Sequence, residues 1–180
     1  MQNKMPRLVR NVLAAAVVTG ISFAAHAADG KINFTGTILD SACTVNTGTA
    51  TQTVDLGQIP KSSFSAKGDV AAATRFTIVL DNCPTAVKTA SVKFDGTADA
   101  NDTSILALSS GQTAKGVGVA LYEKDGVTPI PLATLSKSLT LDTTASNSNQ
   151  MAFVAKYKAT EATVTAGTAN ASSDFTITYQ

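Results

Sequence analysis

Apolar side chains in this chain recur at every second residue over short stretches, and nowhere at every third and fourth over the length of a helix. Ile32, Phe34, Gly36 and Ile38 fall on one face, with Asn33, Thr35 and Thr37 on the other. The same alternation groups Phe76, Ile78 and Leu80, then Val92 with Phe94, then Val117, Val119 and Leu121. Met151, Phe153, Ala155 and Tyr157 make a further set, and Phe175, Ile177 and Tyr179 the last. Successive side chains of an extended chain point to opposite faces, so a period of two marks a strand buried on one side. Asp95-Gly96, Asp125-Gly126 and the proline-bounded stretch 129–131 supply turns between the runs. Residues 47–69 read as polar and glycine-containing, interrupted by the short apolar segment Val54-Asp55-Leu56-Gly57-Gln58-Ile59, and 146–150 read as a plain polar loop. Short strands with frequent turns in one domain predict an all-β sandwich of Greek-key type.

The first 27 residues do not share this pattern. Lys4, Arg7 and Arg10 precede a run from 12 to 23 that is apolar or small apart from Thr19 and Ser22, and Ala25-His26-Ala27 closes it. A basic start, a short apolar stretch and a small-x-small ending are the marks of a secretory signal peptide, with cleavage expected before Ala28. The run is shorter than the roughly 20 residues a bilayer-spanning helix needs. Export is therefore expected, with no membrane span in the mature chain.

Removing residues 1–27 from the 180 leaves 153, enough for a single domain with its own core. Lys+Arg falls from 14 to 11 against 13 Asp+Glu, so the mature chain is close to neutral at −2. No basic surplus asks for nucleic acid or acidic lipid. The one histidine, His26, leaves with the leader, which excludes Ser-His-Asp and Cys-His sites from the mature chain. No Ser-x-x-Lys nucleophile and no phosphate-cradling glycine loop is present. Asp95, Asp99 and Asp102 form an acidic group whose spacing fits no calcium loop, and a solvated turn is the expected reading. No catalytic residue, metal or cofactor is expected. Cys43 and Cys83 remain as an even pair in an exported chain, which favours a disulfide over free thiols or a zinc site lacking histidine.

The two ends carry the functional signal. The mature chain opens Ala28-Asp29-Gly30-Lys31-Ile32-Asn33-Phe34-Thr35-Gly36-Thr37-Ile38, with small and apolar residues at even positions. Such a strand lays a narrow ridge into a groove while its backbone bonds both neighbours. At the other end, Gly167, Ala169, Ala171, Ser173, Phe175, Ile177 and Tyr179 share one face, and Gln180 is the last residue. A sandwich of immunoglobulin type continues past this strand to a final one that closes the core. With none expected here, the edge is open and needs a filler.

At these residues the chain resembles the subunits of chaperone–usher fimbriae, in particular the type 1 major pilin family. The carrying motifs are Gly30-x-Ile32-x-Phe34-x-Gly36-x-Ile38 before Cys43, then Leu56-Gly57-Gln58, then Leu80-Asp81-Asn82-Cys83, and last Gly167-x-Ala169-Asn170-Ala171 leading to Phe175-x-Ile177-x-Tyr179-Gln180. The resemblance implies an incomplete immunoglobulin-like Greek-key sandwich lacking its last strand, completed in trans by a donor strand. It implies a signal peptide over 1–27, a donor-strand extension over 28–42 and an incomplete pilin domain over 43–180. Ala28, Gly30, Ile32, Phe34, Gly36 and Ile38 would form the donor ridge, with Ile32 and Phe34 as main anchors and Gly30 at the small position. Gly167, Ala169, Ala171, Phe175, Ile177, Tyr179 and Gln180 would form the acceptor strand, which a periplasmic chaperone holds first. The Cys43–Cys83 bridge would tie the first two strands together. The implied partners are copies of the chain and other fimbrial subunits, the chaperone and an outer-membrane usher, and the implied location is the outer cell surface. Alternatives are a minor adaptor or tip-proximal subunit, or a small secreted binding module. One departure concerns length: only 15 residues, 28–42, precede Cys43 after the expected cleavage, so Ala28 is both first residue and last ridge position.

Overall fold

The computed structural model describes residues 30–38, 42–144 and 147–180. The expected leader and cleavage site, together with Ala28, lie outside the described residues. The chain divides into two units, Met1–Thr37 and Ile38–Gln180. In the first, residues 30–37 bear no strand or helix, with Ile32 78% and Phe34 90% exposed.

The second unit is a sandwich of two antiparallel sheets, built from β1 (Thr44–Val45), β2 (Val70–Asp81), β3 (Thr89–Asp95), β4 (Val117–Glu123), β5 (Leu139–Thr140), β6 (Asn149–Ala159) and β7 (Asp174–Tyr179). One sheet runs β1-β2-β6-β4 and the other β5-β3-β7. The only helices among the described residues are one turn at Thr47–Ala50 and a short 3-10 turn at Lys61–Ser63. None is long and apolar enough to cross a membrane.

Register follows the alternation. Phe76 lies opposite Phe153 and Ile78 opposite Met151, so the inward faces of β2 and β6 coincide. Val92 opposite Ile177 and Phe94 opposite Phe175 do the same for β3 and β7. A one-residue slip would turn each of these faces outward, and that fixes the pairing. The sheets meet through Phe94, whose ring stands edge-on to Phe153 at 5.1 Å and to Phe76 at 6.0 Å. Ile78, Leu80, Val87 and Val92 complete the driest part of the core.

The outer face of the larger sheet is also partly dry, because the Asp125-Gly126 turn folds back on it. Lys156 Nζ donates to the Gly126 carbonyl at 2.6 Å while lying 4.6 Å from the centre of the Tyr122 ring, which helps bury Val154 beneath. The Asp125 carboxylate accepts from the backbone N–H groups of Thr128 and Val127 and from the Thr128 hydroxyl, bonds that hold it below the ordinary carboxylate range. Cys43 and Cys83 are bonded and buried, and join the start of β1 to the loop after β2.

β2 is interrupted between Ala71 and Thr74 by a register shift, where Ala72 has φ 61°. An L residue with a Cβ is strained in this left-handed region, whereas glycine is not. Ala72→Gly is expected to raise stability by about 0.5–1 kcal/mol, the relieved strain exceeding the entropy that glycine adds to the unfolded chain. Urea denaturation midpoints of the two proteins test it.

Candidate functional site

β7 is an edge strand: among the described residues it pairs with β3 alone. Its inward residues Phe175, Ile177 and Tyr179 are packed against the core yet remain only half-buried. Beside them lies an open groove of about 960 Å³, floored by Phe76, Phe94, Leu106, Val119 and Leu121 from both sheets. One wall is residues 169–175. The other is 53–57, a segment outside any strand whose Val54 and Leu56 are half-buried and whose Thr53, Asp55 and Gly57 are exposed. No backbone–backbone hydrogen bond reaches residues 53–58 among the described residues. On that wall the Gly57 N–H donates to the Asp55 carboxylate and the Asp55 carbonyl accepts from the Thr74 hydroxyl, while β7 is bonded on one side only, so both walls keep backbone groups that an incoming strand can satisfy.

The groove continues into a narrower compartment of about 430 Å³, bordered by Phe64, Val117, Val164 and Gly167. The two compartments share Gly57, Tyr157, Ala169 and Asn170. Tyr157 makes this waist, reaching from β6 to donate its hydroxyl to the Ala169 carbonyl at 3.0 Å. Burial, reinforced by the charge of Asp55, pushes the phenol's pKa up, so it stays protonated and able to donate.

The narrow compartment is shaped by a close backbone approach. Residues 165–170 are bonded on their outer side to the loop 109–115, through Thr165 N–H to Lys115 O, Ala114 N–H to Thr168 O and Ser109 N–H to Asn170 O. At Gly167 an added Cβ would strike the Ala114 backbone nitrogen and the Thr113 hydroxyl. Gly167→Ala is therefore expected to cost about 1–3 kcal/mol through overpacking, read as a lower denaturation midpoint.

Of the expected acceptor residues, Ala169, Ala171 and Phe175 line the wide compartment and Gly167 and Ala169 the narrow one, while Ile177, Tyr179 and Gln180 line neither. Ala169 and Ala171 are half-buried, Gly167 is exposed, and Gln180 is tied to β3 by its N–H to Thr89 O at 3.0 Å. The Gln180 carbonyl accepts from the N–H groups of Lys88 and Thr89 at 2.7 and 2.8 Å. Of the expected donor residues, Gly30, Ile32, Phe34, Gly36 and Ile38 are all exposed, and Ala28 is outside the described residues. Sequence reasoning missed the second wall and the waist. The alternation of Val54 with Leu56 was a signal for the wall, but Tyr157 gave none beyond its place on β6. Among the described residues no group of three or more His, Cys, Asp or Glu is arranged to hold a metal ion.

A profile of the fimbrial protein family matches residues 32–180. The chain is 36% identical over 178 residues to a probable major fimbrial subunit of Escherichia coli O157:H7, covering 98% of each chain. It is 39% identical over 176 residues to a type 1 fimbrial subunit of Salmonella typhimurium, covering 93% of this chain and 92% of the relative. A solved chaperone–usher pilus structure superposes on it with a TM-score of 0.63 at 26% identity, covering 85% of this chain and 96% of that one. On these grounds the chain belongs to the fimbrial protein family, and its two antiparallel sheets form the immunoglobulin-like sandwich of the chaperone–usher pilins.

Proposed function

We propose that this chain, a structural fimbrial subunit exported to the cell surface, polymerises by placing residues 28–42 of one copy in the groove of the next. The observation that carries this reading is the match between two patterns. The groove has a wide compartment, a waist at Tyr157 and Ala169, and a narrow compartment. The extension reads Ile32-x-Phe34-x-Gly36-x-Ile38, which is two large side chains, none, then one. Running antiparallel to β7, the segment lays Ile32 and Phe34 over the wide compartment, Gly36 over the waist and Ile38 into the narrow compartment. Gly30 then lies beside Phe175.

Energetics support a durable joint. Burying each of the three large side chains is worth about 1.5–3 kcal/mol. Each backbone bond to β7 or to 53–58 adds a net of roughly 1 kcal/mol where water is excluded. The whole strand must leave at once, so the joint persists by its slow dissociation. A periplasmic chaperone occupies the groove first, and an outer-membrane usher is where the strand of the next subunit takes over. No catalytic chemistry is required, since the better-fitting strand displaces the poorer one. Deleting residues 28–36 is expected to leave exported monomer and no fibres. An unboiled denaturing gel of surface-sheared protein, beside negative-stain microscopy, tests it, and filaments from the deletion variant would overturn the donor role.

A further inference from the structure

The groove carries an unbalanced charge. Asp55 on one wall and Asp174 on the other border the wide compartment, and both are exposed. The ion pairs among the described residues are Lys93 with Asp95, Lys137 with Asp125 and Lys158 with Asp102, so neither rim carboxylate has a cation there. Asp174 also faces Asp95 across the β3–β7 ladder, a like-charge pair that weakens the first rung of β7. The narrow compartment is bordered instead by Lys61.

The exposed segment 30–38 has a single ionisable side chain, Lys31, on the face opposite Ile32 and Phe34. Resting on the docking proposed above, the register follows from the waist. Gly36 over Ala169 in an antiparallel pair sets Phe34 beside Ala171, Ile32 beside Ser173 and Lys31 beside Asp174. Residues opposite each other in such a pair share a face, so the ammonium and the carboxylate both project from the outer side of the joint. We propose that Lys31 of the incoming copy pairs with Asp174 of the receiving copy, an ion pair across the joint that sets both the direction and the register of the inserted strand. The reversed strand would bring Lys31 to the narrow compartment beside Lys61. A shift by two residues would draw Lys31 away from Asp174 and set Phe34 against the waist.

The test uses the dilute full-length chain and a fluorescent synthetic peptide of residues 28–40, combined as a double-mutant cycle. A Lys31→Glu peptide is expected to bind the wild-type chain up to about fivefold more weakly at low salt, the range of an exposed pair. An Asp174→Lys chain should restore its binding while weakening the wild-type peptide. Both differences should vanish near 1 M salt, where the screening length is about 3 Å. Equal binding of the two peptides to the wild-type chain at low salt would overturn the ion pair. A Phe34→Asp peptide separates the two levels of argument. If it binds as well as the wild-type peptide, the docking itself falls and the ion pair with it.

Discussion

Phe34→Asp is expected to abolish fibres while leaving the subunit's own fold untouched. Phe34 is 90% exposed within its own chain, so the substitution removes no contact that stabilises the sandwich. In the joint the loss is double. The burial of one phenylalanine, about 1.5–3 kcal/mol, disappears, and a carboxylate enters a compartment floored by Phe76, Phe94 and Leu121. An unpaired buried charge costs several kcal/mol more after relaxation. The sum is a weakening of the joint by at least about 10³-fold, since each 1.4 kcal/mol is a factor of ten. Thr35→Asp is the control, because its side chain projects from the other face of the same strand. Export level, protease resistance of the monomer and filament counts for the three strains provide the measurement. Filaments from the Phe34→Asp strain would remove that residue from the joint.

The second large effect lies at the disulfide. Cys43→Ala combined with Cys83→Ala opens a loop spanning a sequence separation of 40, worth about 4 kcal/mol in the chain-entropy treatment. That is a substantial part of the roughly 5–15 kcal/mol by which a domain of this kind is stable. The local pairing gives little in return: β1 contributes two residues to β2, Thr44 opposite Asp81 and Val45 opposite Leu80. Asn46 adds a side-chain bond to Asp81 at 2.8 Å, and Ser148 another at 2.5 Å. These bonds hold the Asp81 carboxyl below its usual range. The double variant should show a lower guanidinium midpoint and a somewhat steeper slope, because the unfolded chain freed of the bridge is less compact. Because both sulfurs are buried, the native bond should resist reductant until the domain unfolds.

Much of the sandwich was legible because its strands are buried on one side. Phe76, Ile78 and Leu80 announced β2, and Phe175, Ile177 and Tyr179 announced β7, each by a period of two that survives whatever the partner strand is. β2 nevertheless begins at Val70, six residues before that signal, because its first half is bulged and partly exposed. The turn at Asp125-Gly126 was legible from local chemistry alone, whereas at Asp95-Gly96 β3 ends without a turn and the chain runs on to pair Ala98 with Leu106.

The site was legible only along one wall. Ala169, Ala171 and β7 keep the alternation through the groove, so their shared face could be counted from the end of the chain. The other wall has no ladder of its own, and residues 53–58 without a partner read as loop. The waist depends on Tyr157 meeting a carbonyl 12 residues away after the chain has left β6 and turned, which no local pattern encodes. The unpaired rim carboxylates are equally silent in the sequence, because Asp55 and Asp174 lie 119 positions apart and meet only as two borders of one groove.

The bond between Cys43 and Cys83 has a mechanical consequence. Tension applied to residues 30–38 reaches the sandwich along the backbone at Cys43. Without the bridge it would next meet the two-residue β1, which two paired positions alone tie to β2. With the bridge the load passes through a covalent link to the end of β2, one of the two inner strands of the larger sheet. β2 is paired with β6 from Val70 to Leu80, so the load is shared along a far longer ladder than β1 offers. A chain of such subunits would carry force from core to core, bypassing the weakest strand in each.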